Sequence, residues 1–600
     1  MSWWVSPPPP PLPPPPLSPP TLPPLLPPPP PSAPPLDEVV VHSAFFAILL
    51  LVCIVNTLFT AIILYYTVRS LCHRRVRRPV PGRVYPPVSV LIPCYLPNEQ
   101  VRAPPSARTL LWPTPVPPHL LSQGIIMGTI AHVLRRLDYP APLKLFIVYN
   151  TPHNLPEIEA DLAALEPIEF EDDRRVCVLR ASDSRSKAEN LNLVLGMVTD
   201  DYVAIYDADH HADPDSLAHM MDMLQAQGCD AVQGSTYIRN VASTAGGEGL
   251  CRRIRHLLLA RFISAEFFVQ HFVYFPVMEA LSASGFFGGS NALWRTDVLR
   301  GFQFRKAMQT EDIDVSARAI LNNHNIAFCP EARSGELSPN DFASLYRQRL
   351  RWALGWDQVT LSCIKVMWRS RISWQRKCGV FFMFPVRWVL LVLSLFIGVV
   401  SPILSVFIAL SEWGAGISIG LGYALGTYWL IAISALFRAV QYEHPRQWLW
   451  VLFFYCAAPL YVSLNFMLVV ISTIKICSGN VGAWHVTRRS SAAAGRASEP
   501  GADDRATPRL RKVPTWLAFN RFATGRFNQP EEDLKDEDVP HESVAQILSE
   551  EVVEFGWSQP GSPRGSPRGS MRDSREGSPR EGWSPRDDAR SPVRGSGQLL

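Results

Sequence analysis

The sequence predicts an α/β domain with a mostly parallel sheet, joined to α-helical transmembrane segments and flanked by disordered N- and C-terminal tails. Three observations predict it. Short β-branched runs alternate with helical stretches between residues 85 and about 350, long apolar runs lie on both sides of that region, and both ends are proline-dominated or polar. The 600-residue chain is long enough for more than one domain. Its 47% hydrophobic content and mean hydropathy of +0.05 average these unlike parts. A net charge of +4 is too small for a nucleic-acid binder. Eleven cysteines stand singly, with no Cys-x-x-Cys pair, and read as reduced thiols rather than a structural metal site.

Residues 1–38 form a proline-rich tail that favours polyproline II over helix or sheet. It reads as a stiff stalk, with an SH3 or WW ligand as the alternative. Residues 39–68 contain AFFAILLLVCIVNTLFTAIILYYTV, longer than a bilayer requires. No Lys or Arg precedes this stretch, whereas Arg69, Arg74, Arg75, Arg77 and Arg78 follow it in the basic linker 69–84. The positive-inside rule places the following domain in the cytosol and the proline tail outside or in a lumen.

In residues 85–357, VSVLIPCY, LKLFIVYN, RRVCVLR and DYVAIYDAD read as strands, and QGIIMGTIAHVLRRL and PDSLAHMMDMLQAQ as helices. That alternation builds β-α-β units, whose ligands gather at the carboxyl ends of the strands. Residues 358–378 read as an interfacial amphipathic segment. Apolar spans return at about 379–410, 417–437 and 447–474, so that 379–476 holds three or four transmembrane helices. Three would leave the C-terminus outside, although Lys475, Arg488 and Arg489 look cytosolic. Either one segment is re-entrant or interfacial, or the first hides two spans. Residues 477–490 are membrane-proximal. The tail 491–600 repeats Ser-Pro-Arg units, reads as disordered, and carries Ser-Pro sites open to phosphorylation.

Three features suggest chemistry. Asp207 and Asp209 end a strand, where alternation points both carboxylates to one side, and a divalent cation relieves their repulsion. Oxygen ligands favour Mg²⁺ or Mn²⁺. His210 and His211 follow and read as bystanders. Thr310-Glu311-Asp312 heads a helical stretch, and Gln348-Arg349-Leu350-Arg351-Trp352 puts Gln348 and Arg351 on one helical face. An Arg there can hold a diphosphate and a Trp can stack on a sugar ring. A capped aspartate turn and an amphipathic surface helix are the bland alternatives.

The ordered set PCYLPNE (93–99), SKAENLN (186–192), DAD (207–209), GFFGGSNALWR (285–295), TED (310–312) and QRLRW (348–352) resembles family 2 glycosyltransferases. The likeness is to processive membrane polysaccharide synthases of the cellulose, hyaluronan and chitin synthase kind, and it covers about residues 85–490. It implies a Rossmann-like GT-A fold and a metal-dependent, inverting hexosyltransferase. A UDP-sugar donor would extend a β-linked glycan that leaves through the protein's own helices. GFFGGSNALWR leans toward the cellulose-like branch.

By this resemblance Asp209 binds the metal, Asp207 lies by the nucleotide and the metal, and Asp312, with Glu311 beside it, is the general base. Lys187 and Asn190 line the donor site, while Pro93, Tyr95 and Glu99 border the uridine. Gln348, Arg351 and Trp352 hold the diphosphate and acceptor, with Gly288, Gly289 and Ser290 near the acceptor. The chain departs from the family pattern at Tyr149-Asn150-Thr151-Pro152, where many members carry an Asp pair against uracil. Asn150 is the residue left to meet the base. Leu96-Pro97 also alters the first loop. The implied partners are a nucleotide sugar, a glycan acceptor and a bilayer (plasma membrane or Golgi), with no nucleic acid. A non-processive transferase onto a lipid or other acceptor and a catalytically silent membrane scaffold are the other readings.

Overall fold

A computed structural model describes residues 36–72, 84–99, 124–242, 250–339, 341–396, 399, 414–442 and 447–479. The proline tail before residue 36, Arg74, Arg75, Arg77, Arg78, and everything from residue 480 onward lie outside these residues.

Helix α1 (Leu36–Cys72) precedes a domain whose first strand, β1 (Val88–Tyr95), is buried from Val88 to Cys94 and largely apolar, as a central parallel strand is. It leads into the single turn α2 (Leu96–Glu99). Next come α3 (Ile125–Arg136), β2 (Leu143–Asn150), α4 (Pro156–Ala163), β3 (Arg174–Arg180), α5 (Lys187–Leu195), β4 (Tyr202–Ile205), β5 (His211–Ala212) and α6 (Ser216–Gln227). After β6 (Ala231–Ile238) runs a long rod, α7 (Leu250–Val269) and α8 (Phe275–Ser282), joined by a π-helical turn at Gln270–Tyr274. Strand β7 (Ala292–Arg295), α9 (Thr296–Phe302), α10 (Glu311–Leu321) and β8 (Ile326–Glu336) complete the domain. The helices α11 (Phe342–Arg369), α12 (Trp374–Met383), α13 (Pro385–Leu395), α14 (Gly414–Tyr442) and α15 (Gln447–Cys477) follow.

Among the described residues the strands form one sheet in the order β3-β2-β1-β4-β7-β6-β8-β5. Pairing is parallel from β3 to β4 and again between β6 and β8, while β7 runs antiparallel to both of its neighbours. Strand pleating divides the core. Val90, Ile92, Leu145 and Ile147 pack with Ile126, Leu217 and Met220 of α3 and α6 on one face. Leu91, Val148, Val203 and Ile205 pack with Leu191, Leu299 and Val315 of α5, α9 and α10 on the other. The sandwich therefore matches the α/β expectation, and the parallel half leaves the ends of β1, β2 and β4 along one rim.

Three expectations change. Strand β4 ends at Ile205, so Asp207 and Asp209 lie in the turn beyond it, which the His210 N–H closes onto the Asp207 carbonyl. Helix α11 runs unbroken across residue 357, and Val359, Cys363 and Met367 bury against α10 rather than lying alone on a lipid surface. Arg253–Ser282 joins Phe46–Arg69, Ser418–Tyr442 and Trp448–Cys477 as helices long and apolar enough to cross a membrane. That segment reads from sequence as part of the domain. In the structure it is half buried and packs on both β6 and α15, a floor between sheet and apolar helices.

The outer helices keep large side chains such as Leu58, Ile419, Phe437 and Leu460 more than half exposed, as lipid-facing surfaces do. Helices α1 and α14 run parallel. Cys53 meets the Gly420 carbonyl, and four residues on, Thr57 meets Tyr423 at 2.7 Å. Helices α12 and α13 meet at a 46° bend.

Candidate functional site

One cavity opens at the rim formed by β1, β2 and β4, and every candidate residue named from the sequence lines it. Pro93 and Tyr95 end β1, Glu99 ends α2, and Asn150 ends β2. The start of α5 is fixed by reciprocal capping. The Ser186 hydroxyl accepts from the Glu189 N–H at 3.2 Å, and the Glu189 carboxylate accepts from the Arg185 N–H at 2.7 Å. Lys187 thus stands at the first helical position, on the cavity wall. Asn190, one turn later, donates to Asn150 Oδ1 at 2.9 Å, and Asn150 donates onward to the Ser184 carbonyl at 3.3 Å. The Asn150 amide is therefore held in place rather than swinging free. Asn190 Oδ1 is buried with no hydrogen-bond partner among the described residues.

The acids cluster around Lys187. Its Nζ lies 2.5 Å from Asp207 Oδ1 and 3.8 Å from Glu311 Oε1, and donates to the Gly289 carbonyl at 2.7 Å. Burial opposes this charge, but Asp207, Glu311 and Asp312 outweigh it and hold the ammonium above its ordinary range. Asp207 is further fixed through its N–H, which donates to Ser290 Oγ at 2.9 Å. Asp209 is 1% exposed, and its Oδ2 accepts from the Leu337 N–H at 3.0 Å.

Asp312 lies in the first turn of α10. Burial and the neighbouring Glu311 push its carboxyl up to about 7, partly offset by Lys187. Gly289 makes the space. At φ +93° it adopts a conformation that other residues avoid, and a Cβ there would lie 2.7 Å from Asp312 Oδ2.

Helix α11 supplies Gln348, Arg351 and Trp352 to the opposite wall. It also grips the loop that presents Glu311 and Asp312. The Arg351 guanidinium donates to the Gln309 carbonyl at 3.2 Å, and Gln358 Oε1 accepts from the Gln309 N–H at 3.0 Å. Gly355 packs so closely on Thr310 that a Cβ would overlap its hydroxyl. Arg351 therefore spends part of its guanidinium on the protein, while its Nε is buried without a hydrogen-bond partner among the described residues.

Several lining residues escaped the sequence reading. His210 bonds Ser334 at 3.1 Å and Glu336 at 3.2 Å, and both His210 and Glu336 line the cavity. Burial lowers the His210 pKa, but Glu336, Asp209 and Asp207 more than reverse this. Its place beside Asp209 was the available signal, whereas Glu336 belongs to no local pattern. His211 stays outside, stacked on His132 at 4.4 Å and held at about 2 by burial and Arg239. Gln270 and His271 also line the cavity without a motif to announce them, and Trp356 joins them from the helical face of Trp352.

Among the described residues no three His, Cys, Asp or Glu side chains form a ready metal cage. Asp207 and Asp209 nonetheless provide hard oxygen donors on one cavity, a set that fits a cation taking its other ligands from phosphate and water.

The α/β sheet and the acid cluster at its rim form the candidate site. Residues 122–355 match the sequence model "Glycosyltransferase like family 2", and the chain carries a domain of glycosyltransferase family 2. It is related to polysaccharide synthases. A poly-beta-1,6-N-acetyl-D-glucosamine synthase of Staphylococcus epidermidis is 27% identical over 241 residues, covering 39% of this chain and 52% of that protein. A probable glycosyltransferase of Sulfolobus acidocaldarius is 25% identical over 184 residues, covering 30% of this chain and 36% of that protein. The chain thus spans about half the length, or less, of these curated relatives. Among solved structures, a mannosyltransferase from Pyrobaculum calidifontis in complex with GDP-Man and Mn²⁺ aligns with a TM-score of 0.38 and 17% identity, over 71% of this chain and 98% of that one. Staphylococcus aureus TarS 1–349 in complex with UDP-GlcNAc aligns with a TM-score of 0.31 and 12% identity, over 62% of this chain and 92% of that one.

Proposed function

We propose that the protein is a membrane-embedded, inverting hexosyltransferase that elongates a β-linked polysaccharide from a nucleotide sugar at the cytosolic face and passes it outward between its own helices. The observation that carries this reading is the meeting of Asp312, Lys187, Asp207 and Asp209 with Gln348, Arg351 and Trp352 around one cavity, against helices of membrane-spanning length. The names of the curated relatives favour an N-acetylglucosamine donor, making UDP-N-acetylglucosamine the first to test.

In this reading Asn190 and Asn150 meet the base, and the uridine lies along Pro93, Tyr95 and Glu99. Asp207 and Asp209 would hold Mg²⁺ or Mn²⁺, which supplies neutralising charge to the leaving diphosphate. Arg351 and Lys187 provide fixed positive charge on the same side. The acceptor ring rests on Trp352, with Gly288, Gly289 and Ser290 opposite. Asp312 takes the acceptor hydroxyl proton as that oxygen bonds the anomeric carbon, and the diphosphate departs from the other face. A carboxyl poised at about 7 is matched to removing that proton near neutral pH.

The parallel run of α1 and α14 supports an odd number of crossings up to and including α14. Helix α15 lies along the domain. Its Phe453 meets Phe262 of α7, and Ile476 meets Leu354 of α11. In this reading the end of α15, at Cys477, stays on the cytosolic side.

Membranes containing the full chain, incubated with radiolabelled UDP-N-acetylglucosamine and other UDP-sugars, test the reading. The expected product is a high-mass, detergent-insoluble glycan. Label confined to the lipid extract would replace polymerisation by single transfer, and no transfer from any nucleotide sugar would sink the enzymatic reading.

A further inference from the structure

Helix α11 carries a second tryptophan in the cavity. Trp356 follows Trp352 by four residues, which places the two rings on one helical face about 6 Å apart along the axis. Both are half-buried rather than sealed in the core.

Each ring is supported by the same device. At Trp352, the Arg349 guanidinium sits 4.1 Å from the ring centroid and is tied to Glu266 of α7 at 2.6 Å and to Tyr461 of α15 at 3.1 Å. At Trp356, the Arg387 guanidinium of α13 sits 5.7 Å from the ring centroid and is tied to the buried Asp357 carboxylate. Asp357 also accepts from Trp388 at 2.9 Å. Phe286 meets Trp356 edge-on at 5.8 Å, and Phe384 tilts against it at 5.6 Å. A guanidinium held against an indole by its own acid fixes the ring's orientation and leaves its remaining surface to the cavity. A pyranose presents a face of C–H groups that packs on such a surface.

We infer that Trp356 is a second saccharide-stacking platform, one helical turn beyond Trp352, so that the cavity holds at least two sugar rings of the acceptor glycan. This rests on the transferase reading above and adds to it a second subsite, on the same helix as Trp352 and packed beside Phe286 and Ile313. The axial step between the two rings is comparable to the length one hexose adds to an extended glycan. Burial of Arg387 and Asp357 beside an apolar helix makes sense when they serve to hold a ring in one pose.

The test uses the full-length protein in detergent or nanodiscs, UDP-N-acetylglucosamine as donor, and N-acetylglucosamine oligomers of one to four residues as acceptors. The quantity read is the ratio of the monosaccharide KM to the disaccharide KM. Wild type is expected to bind the disaccharide at least tenfold better, and Trp356→Ala to bring the ratio to about one. Trp356→Leu, which keeps apolar bulk against Phe286 and Phe384, is expected to do the same if the alanine variant misfolds. Trp356→Phe should restore most of the preference. A ratio unchanged in Trp356→Leu, or a wild type with no preference for the disaccharide, overturns the subsite while leaving the transferase reading intact. A wild type that transfers sugar to no acceptor overturns both.

Discussion

Asp312 and Gly289 show how narrowly single positions are set. Because burial and Glu311 raise the Asp312 carboxyl to about 7, the folded state prefers it protonated. Its contribution to stability is full below the unfolded value of about 4 and declines as pH rises to about 7, where it levels off. Asp312→Asn should therefore melt above wild type at pH 8 and together with it near pH 4, measured by thermal unfolding in detergent. The same substitution should lower transfer by roughly 10²- to 10⁴-fold with donor affinity nearly unchanged. In wild type, kcat/KM should climb through about pH 7 as the base ionises, and a profile flat from pH 5 to 9 would remove Asp312 from that role. Gly289→Ala places a methyl group 2.7 Å from the Asp312 carboxylate at a strained φ. Displacing the base by a fraction of an ångström should cost about 10²-fold in kcat in a protein that still folds. Normal turnover in Gly289→Ala would mean that the carboxylate has room to move.

At the scale of elements, much of the site was legible because its parts are local. Buried parallel strands make apolar runs, and β1, β2 and β3 match the runs read from sequence residue for residue. Lys187, Asp312 and Trp352 belong to short motifs tied to helix starts or to one helical face. His271 and Glu336 were not legible, since each reaches the cavity only through tertiary packing of a rod and a strand end, whereas Trp356, four residues after Trp352, lay on a helical face that the sequence did show. The Asp207 and Asp209 carboxylates share the cavity as expected, although a turn rather than strand alternation puts them there. Packing also explains the Arg349 network, which joins α11 to α7 and α15 through Glu266 and Tyr461. Arg349→Met would strand a buried Glu266 carboxylate and should destabilise the protein by about 3–5 kcal/mol. Adding Glu266→Leu should recover most of that loss. A double variant melting no higher than the single one would argue that the contact with Trp352, rather than the ion pair, holds the helices together.

For the whole molecule, the direction of two helices constrains the path of the chain. Because α1 and α14 run the same way, their first residues lie at the same end of the helix pair and their last residues at the other. In vesicles sealed with the cytosolic face outward, an epitope tag placed before residue 36 should be protected from added protease, and one placed after residue 479 should be cleaved. Protection of both tags, or cleavage of both, would require a different number of crossings.

The wide turn at Gln270–Tyr274 sets the two halves of one rod out of phase. It inserts about one residue relative to an α-turn, so everything downstream is rotated by roughly 100° from where an unbroken helix would put it. The upstream half can then offer Phe262 and Glu266 to α15 and α11, while the downstream half turns Glu279 to accept from the Phe328 N–H of β8. Loss of a single codon in this stretch would remove the extra residue, and the regular helix that results would still hold Glu279 against the sheet. Rewinding the turn with its length unchanged would instead rotate Glu279 away from the sheet, without any residue there having been substituted.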